Sequence, residues 1–432
     1  MEKKKEVRVL RSGVLVLIVG TNPLPNYVVG KYLKEQGRYD TLVLIYSEKT
    51  ERQEGTKDYA ERIKRLLGVN RFEYLPIEDV GNPKVIRRNL EEGFRDISGE
   101  IHLNYTGGTK TMVVQSYNFL REKYRERFES SYLDARTFKL VLDDGTVEPG
   151  DGSLREIINV DIDTLLELHL YEKKKIETWS DCEFNKAVDK LKENVIEKGK
   201  LDDFLGWIED PFRVIFKGSG KILEKKNRFI YHIERSDVKG SVKKFNEEKP
   251  DFIEKILCAF PQDKRIINDN GTLWKPPDAV TNKQFEGRVK HTVEFLDGKW
   301  LEWYVYKELR DNPIIKRLKE GKHFGISLEA RRNGRPFELD IFIINGYQLI
   351  GISITTAKEM CKLKGFEIIH RVRQIGGDES KAMLVTTMEM GKVNEIQRDL
   401  TFTTGTSEEK FLVFGKDELK DIGDKIIKEV FS

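Results

Sequence analysis

Glu100-Ile101-His102-Leu103-Asn104-Tyr105-Thr106-Gly107-Gly108-Thr109-Lys110 carries the decisive pattern of this chain. An apolar run ends at Asn104, two glycines follow, and a helical pattern from Met112 to Tyr124 begins directly behind them. Consecutive glycines let a backbone turn tightly and come close to a ligand. The first turn of a helix presents unpaired N–H groups at the positive end of its dipole, here beside the hydroxyls of Thr106, Thr109 and Thr111 and the charge of Lys110. These are the parts of an anion pocket, and phosphate suits it best. The same residues also fit an ordinary strand-to-helix turn with threonine caps.

Working toward the amino terminus, the apolar run Gly13–Val19 reads as a buried parallel strand and is followed by Gly20-Thr21-Asn22-Pro23-Leu24-Pro25-Asn26. Two prolines stiffen this loop and leave Thr21, Asn22 and Asn26 as its polar groups. Further strands are expected at Thr41–Tyr46, Phe72–Leu75 and Ile101–Asn104, with helices at Tyr27–Gln36, about Thr56–Leu67, Lys84–Phe94 and Thr111–Tyr124. This alternation predicts a parallel sheet with helices on both faces, a Rossmann-like domain. The loops after the first and fourth strands then emerge at one edge, where ligands gather in such sheets, and Tyr46-Ser47 ends there as well. Neither a GxxxxGK[ST] phosphate loop nor a GxGxxG fingerprint is present, so a P-loop nucleotidase or an NAD enzyme is not indicated. Ser130–Leu133, Phe138–Leu142 and Thr146-Val147 continue as strands, with Asp143-Asp144-Gly145 as a hairpin turn, and Asp161–Leu170 closes the domain as a helix.

Composition sets wider bounds. The 432 residues suffice for two or three domains, and 76 basic against 73 acidic side chains leave a net charge of only +3. Any basic surface is therefore local. Cys182, Cys258 and Cys361 are isolated, which argues against a disulfide framework or a structural zinc site. The apolar run Val14–Val19 is too short to span a bilayer, so no membrane partner is expected and a cytoplasmic location is.

Glu172–Lys198 is highly charged and reads as helical. Between Arg213 and Lys244, ten Lys or Arg face three acids, with Phe216, Phe229 and Tyr231 interspersed and Phe245 just beyond. Such a stretch suits a nucleic-acid strand, and equally the solvated face of a strand-rich connector. From Gly298 a third unit begins. A helix over Trp300–Leu309 carries Glu302, and strands are expected at Gly325–Arg331, Phe337–Ile344 and Gln348–Thr355, the last two joined by the turn Asn345-Gly346. A helix from about Lys358 to Ile375 stops at Gly376-Gly377, and Lys381–Thr386 is a further strand. Asp340 within an apolar strand stands out, because an unpaired buried carboxylate is costly.

The two loops, taken with the closing Asp161-Ile162-Asp163-Thr164-Leu165-Leu166-Glu167-Leu168-His169, resemble the CARF domain of CRISPR-associated proteins over about residues 10–170. The resemblance implies a homodimer that binds a cyclic oligoadenylate, most commonly cyclic tetra-adenylate, across its two-fold axis. Thr21, Asn22, Pro23, Ser47, Asn104, Thr106, Gly107, Gly108, Thr109 and Lys110 would line that pocket. The carboxyl-terminal order of helical Glu, strand Asp, hairpin, helix and strand resembles the PD-(D/E)xK nuclease fold, and the combination resembles the CARF-linked ancillary nucleases of type III CRISPR antiviral defence. In those terms Glu302, Asp340 and Glu338 would hold Mn²⁺ or Mg²⁺, and a lysine would assist the attack of water on DNA or RNA. The pattern departs at Ser353-Ile354-Thr355, where the family carries Glu-x-Lys. Either the lysine role has moved to Lys358, Lys362 or Lys364, or the centre binds nucleic acid without cutting it. A third reading has the sensor domain cleave its own ring, with Lys110 and nearby hydroxyls aligning the ribose. The expected organisation is an α/β chain with a CARF domain over 1–170, a mixed α/β connector over 171–297 and a restriction-endonuclease-like domain over 298–432.

Overall fold

The structure is a computed structural model that describes residues 13–51, 54–216, 238–274 and 289–431. Its first sheet has seven strands in the order β3-β2-β1-β4-β5-β6-β7. β1 (Gly13–Ile18), β2 (Thr41–Ser47), β3 (Arg71–Ile77), β4 (Glu100–Asn104) and β5 (Phe128–Asp134) run parallel. β6 (Lys139–Leu142) and β7 (Val147–Glu148) add an antiparallel edge. Every residue of β1 is buried, as a strand covered on both faces requires. α1 (Leu24–Glu35) packs on α2 (Lys57–Leu67), and α3 (Pro83–Gly93) on α4 (Lys110–Tyr124). Val14, Val16 and Ile18 meet Ile86 and Leu90 of α3, Phe94 directly behind it and Leu120 of α4 in one buried cluster. Each such side chain taken from water contributes about 1.5–3 kcal/mol.

The chain moves outward from β1 through β2 to β3, then returns to place β4 on the other side of β1. Strand order therefore reverses between β1 and β4. At such a switch point the loops leave the two carboxyl ends in opposite directions and open a crevice. α5 (Leu154–Ile157) and α6 (Ile162–Leu168) follow, α6 capped by Asp161, which accepts from Thr164 N at 2.8 Å.

A six-stranded sheet has the order β13-β12-β11-β10-β9-β8. Its strands are β8 (Glu172–Glu177), β9 (Phe324–Arg332), β10 (Arg335–Asn345), β11 (Gln348–Thr355), β12 (Lys381–Thr386) and β13 (Phe411–Phe414). Helices Trp300–Asp311, Cys361–Gly376, Met390–Thr404 and Ile422–Phe431 accompany it. The helix expected at Glu172–Lys198 is corrected at its start, since Glu172–Glu177 is an edge strand, Trp179–Asp181 a single 3-10 turn, and α-helix begins only at Asn185. Glu172–Lys175 are exposed, and a lysine-rich edge of this kind resists pairing with another chain. The stretch from Arg213 to Lys244 is described only at its ends, and both ends are helical, not strand. Residues 217–237, which hold most of its basic charge, lie outside the described residues.

By compactness the chain forms two units. One comprises Met1–Ile176, Lys322–Gly351 and Glu367–Ala382, and the other Glu177–Gly321, Ile352–Phe366 and Met383–Ser432. Within the first, the tip of the β10–β11 hairpin is bound to the segment behind β7. Val160 N donates to Gly346 O at 2.8 Å, and Arg155 Nη1 to Gln348 Oε1 at 3.0 Å. Within the second, Trp300 and Tyr304 are fully buried, and Tyr304 donates to Leu419 O at 2.7 Å. Among the described residues no helix is long and apolar enough to cross a membrane.

Candidate functional site

The register Leu17↔Asn104 sets the loops after β1 and β4 side by side at the switch point. They touch through glycine. A Cβ on Gly20 would lie 2.8 Å from Gly108 N, and one on Gly107 would lie 2.8 Å from the buried Asn26 Oδ1. Gly108 has φ +82°, a conformation that side-chain-bearing residues rarely adopt. The polar side chains of the second loop build the turn. Asn104 donates to Ser131 O and Ser131 Oγ, both at 3.2 Å, and accepts from Thr106 N at 3.3 Å. Thr106 Oγ1 accepts from Leu133 N at 2.7 Å, and Thr109 caps α4 by accepting from Met112 N at 3.3 Å. The backbone N–H groups of Gly107 and Gly108 have no hydrogen-bond partner among the described residues. They are left for an acceptor brought by a ligand.

These loops border a cavity of about 500 Å³ within the first unit. Gly20, Thr21, Asn22 and Pro25 form one wall and Tyr105, Thr106, Gly107 and Gly108 another. Tyr132, Leu133 and Ala135 at the end of β5 complete it, with Asp378 and Glu379. The Tyr105 and Tyr132 rings lie 5.8 Å apart at 35° and give the cavity aromatic faces of the kind on which nucleobases stack. Burial, reinforced by Asp143, pushes the Tyr105 phenol up to about 12, so it stays neutral. Its hydroxyl donates to Asp143 Oδ1 at 3.3 Å. Asn22 Oδ1 accepts from Leu24 N at 3.3 Å and lies 3.3 Å from Nε2 of the buried His169. Desolvation holds that imidazole down to about 4.

Of the residues expected here, Thr21, Asn22, Thr106, Gly107 and Gly108 line the cavity. Pro23 is buried at the entry to α1, Asn104 and Thr109 shape the second loop, and Lys110 is exposed on the first turn of α4. Ser47 is buried away from the cavity, its hydroxyl donating to Glu54 O at 3.0 Å and 3.2 Å from Thr56 Oγ1. Tyr105 lies inside the quoted motif, where nothing local marks its ring as a cavity wall. Tyr132 carried only a strand signal, and Asp378 and Glu379 only their place behind a helix stop.

The carboxyl-terminal candidates fall in both units. Glu338 and Asp340 alternate along β10 and so share a face, Glu338 exposed and Asp340 half-buried. Glu302 lies on the helix Trp300–Asp311. Ser353 and Thr355 are buried on β11 and bring no charge. Among the described residues no group of three or more His, Cys, Asp or Glu could hold a metal ion. Glu338 and Asp340 supply two carboxylates on one strand face, and a Mg²⁺-type ion held by one or two carboxylates would complete its shell with water and substrate phosphate.

The lysines separate clearly. Lys362 is paired with Asp399 at 2.6 Å. Lys358 has no ion pair among the described residues and lines a cavity of about 780 Å³ wholly within the second unit. The residues directly behind β11 (Thr356–Met360) and β12 (Thr387–Glu389), and Lys416 behind β13, border it together. Its other cations are committed: Lys416 to Asp202 at 3.1 Å, Lys392 to Glu395 at 2.7 Å and Arg213 to Asp297 at 2.8 Å. Lys364 does not line this cavity.

Residues 14–142 match the family model of the Card1 CARF domain. The amino-terminal sheet is CARF-like. Among solved structures, Can2 from Sulfobacillus thermosulfidooxidans in complex with cyclic tetra-adenylate aligns with 97% of this chain and 100% of its own, at 15% identity and a TM-score of 0.57. Protein VC1899 from Vibrio cholerae aligns over 96% of this chain and 97% of its own, at 14% identity and a TM-score of 0.55. These likenesses are of fold, and they span nearly the whole of this two-sheet α/β chain. No curated protein matches the sequence.

Proposed function

We propose that the protein is a cyclic-oligoadenylate sensor of type III CRISPR defence whose carboxyl-terminal part acts on nucleic acid. The observation that carries this reading is the pair of unpartnered amides at Gly107 and Gly108 in a cavity walled by Tyr105 and Tyr132, at the switch point of a CARF-like sheet. Amides take phosphate and aromatic faces take bases, so the cavity suits a nucleotide better than a simple anion. Can2, similar over its full length, binds cyclic tetra-adenylate, which makes that ring the first ligand to test. The resemblance to CARF domains makes a homodimer the arrangement that would enclose it. Residues 1–170 would sense, 171–297 connect and 298–432 act.

For the output we propose ligand-dependent cleavage of DNA or RNA phosphodiesters; the groups to test are the acids Asp340 and Glu338 in one unit and, in the other, the acid Glu302 and the cation Lys358. Lys358 is preferred over Lys362 because its charge is uncommitted. The neutral Ser353 and Thr355, where the resemblance would place Glu-x-Lys, favour a second reading, a ligand-responsive regulator that binds nucleic acid without cutting it. One experiment separates them: full-length protein is incubated with labelled single- and double-stranded DNA and RNA, with and without cyclic tetra-adenylate and Mn²⁺. Ring-stimulated cutting supports the nuclease. Ring-stimulated binding without cutting supports the regulator, and consumption of the ring itself supports ligand cleavage by the sensor domain. No response to any ring refutes the sensing reading.

A further inference from the structure

Two acids border the sensor cavity from far away in the sequence. Asp378 and Glu379 lie beyond residue 142, where the CARF match ends, yet they share the cavity with Gly107 and Gly108. Their backbone is held in place. Gly377 has φ +64°, and the space a side chain would need there is filled by the Asn22 amide. Ser380 Oγ donates to Gly377 O at 2.7 Å, and Gln348 Nε2 donates to Glu379 O at 2.8 Å. A Cβ on Gly376 would meet Leu349 Cβ at 2.9 Å. Asp378 is exposed and Glu379 is buried. A segment fixed on both sides presents its carboxylate as a built feature of the wall.

A carboxylate bordering a pocket for a polyanion opposes the ligand's phosphates, since like charges repel. It becomes favourable when the carboxylate accepts a hydrogen bond from a neutral donor of the ligand. A cyclic oligoadenylate offers two kinds, the adenine N6 amino group and the ribose 2′-hydroxyl. We infer that Asp378 is a specificity-determining residue of the sensor: its carboxylate accepts a hydrogen bond from the ring's neutral donors, while the Gly107 and Gly108 amides take phosphate. The inference rests on the ring-nucleotide reading above. A chain segment outside the CARF-matching residues then reads the ligand's identity.

The test is calorimetric titration of the full-length chain, its Asp378→Ala variant and its Asp378→Asn variant. Three rings are used: cyclic tetra-adenylate, the same ring with purine replacing adenine, and the same ring with 2′-deoxyribose. Asp378 is exposed, so the variants keep the core intact. Asp378→Ala is expected to weaken cyclic tetra-adenylate about tenfold or more, with Asp378→Asn, which keeps an acceptor, falling between. The ring lacking the donor that is read loses affinity for the wild type but not for Asp378→Ala, and so tells amino group from hydroxyl. Unchanged or tighter binding by Asp378→Ala overturns the inference, because that is what removing a merely repulsive charge produces. If the wild type binds none of the rings, the sensing reading itself falls.

Discussion

His169 is held neutral by burial, with Nδ1 2.9 Å from Leu165 O and Nε2 facing Asn22 of the cavity loop. Its folded value of about 4 lies below the ordinary 6.5. The unfolded chain therefore binds the proton first, and His169 subtracts nothing above pH 6.5. Between pH 6.5 and 4 the folded state loses stability as pH falls, by about 3 kcal/mol over the whole window, and below 4 the loss levels off. Urea denaturation at a series of pH values, comparing wild type with His169→Gln, is expected to show a difference that shrinks or reverses toward pH 4. A difference independent of pH would mean that the histidine does not stay neutral in the fold. At this scale legibility follows locality. Gly107 and Gly108 were readable because a tight turn imposes its demand on the residues that make it. Asp378 and Glu379 border the same cavity through long-range packing, with Gly377 set against Asn22, which no local pattern encodes.

Strands β1 and β2 were legible as elements because two covered faces demand unbroken apolar runs, and their sequences consist of little else, while β4 was legible from the glycine turn directly behind it. β8 was not, because an exposed edge strand written Glu-Lys-Lys-Lys-Ile-Glu shares its composition with a solvated helix. The turn between β4 and α4 was anticipated as an anion pocket or a threonine-capped turn, and its residues serve both ends. Thr109 caps the helix, while the glycines leave their amides open. Thr109→Ala is accordingly expected to cost about 1 kcal/mol of stability through loss of the cap. Its effect on ring affinity should stay small, since the Thr109 side chain does not line the cavity. Paired denaturation and calorimetry measure the two effects separately. A large loss of affinity with unchanged stability would place the hydroxyl on the ligand instead.

At the scale of the whole molecule, a ring bound at the first sheet controls chemistry elsewhere only by binding one conformational state more tightly than another. Moving a population from 1:99 to 99:1 takes about 5.5 kcal/mol of differential binding, roughly a 10⁴-fold preference. Two residues with no shared contact test whether sensing and output are separate functions. Lys110→Ala is expected to weaken the ring by about threefold to tenfold, as for an exposed cation beside phosphate. With enough ring the variant should regain full output, so only its midpoint moves. Asp340→Ala is expected to leave ring affinity unchanged and to lower ring-stimulated cutting at least about a hundredfold. Ring titrations read by calorimetry and by cleavage of labelled nucleic acid distinguish the two. If Asp340→Ala binds nucleic acid and responds to the ring as the wild type does, β10 carries no catalytic acid. The neutral Ser353 and Thr355 then mark a centre that grips a phosphodiester backbone without breaking it, and salt dependence of binding becomes the property to measure.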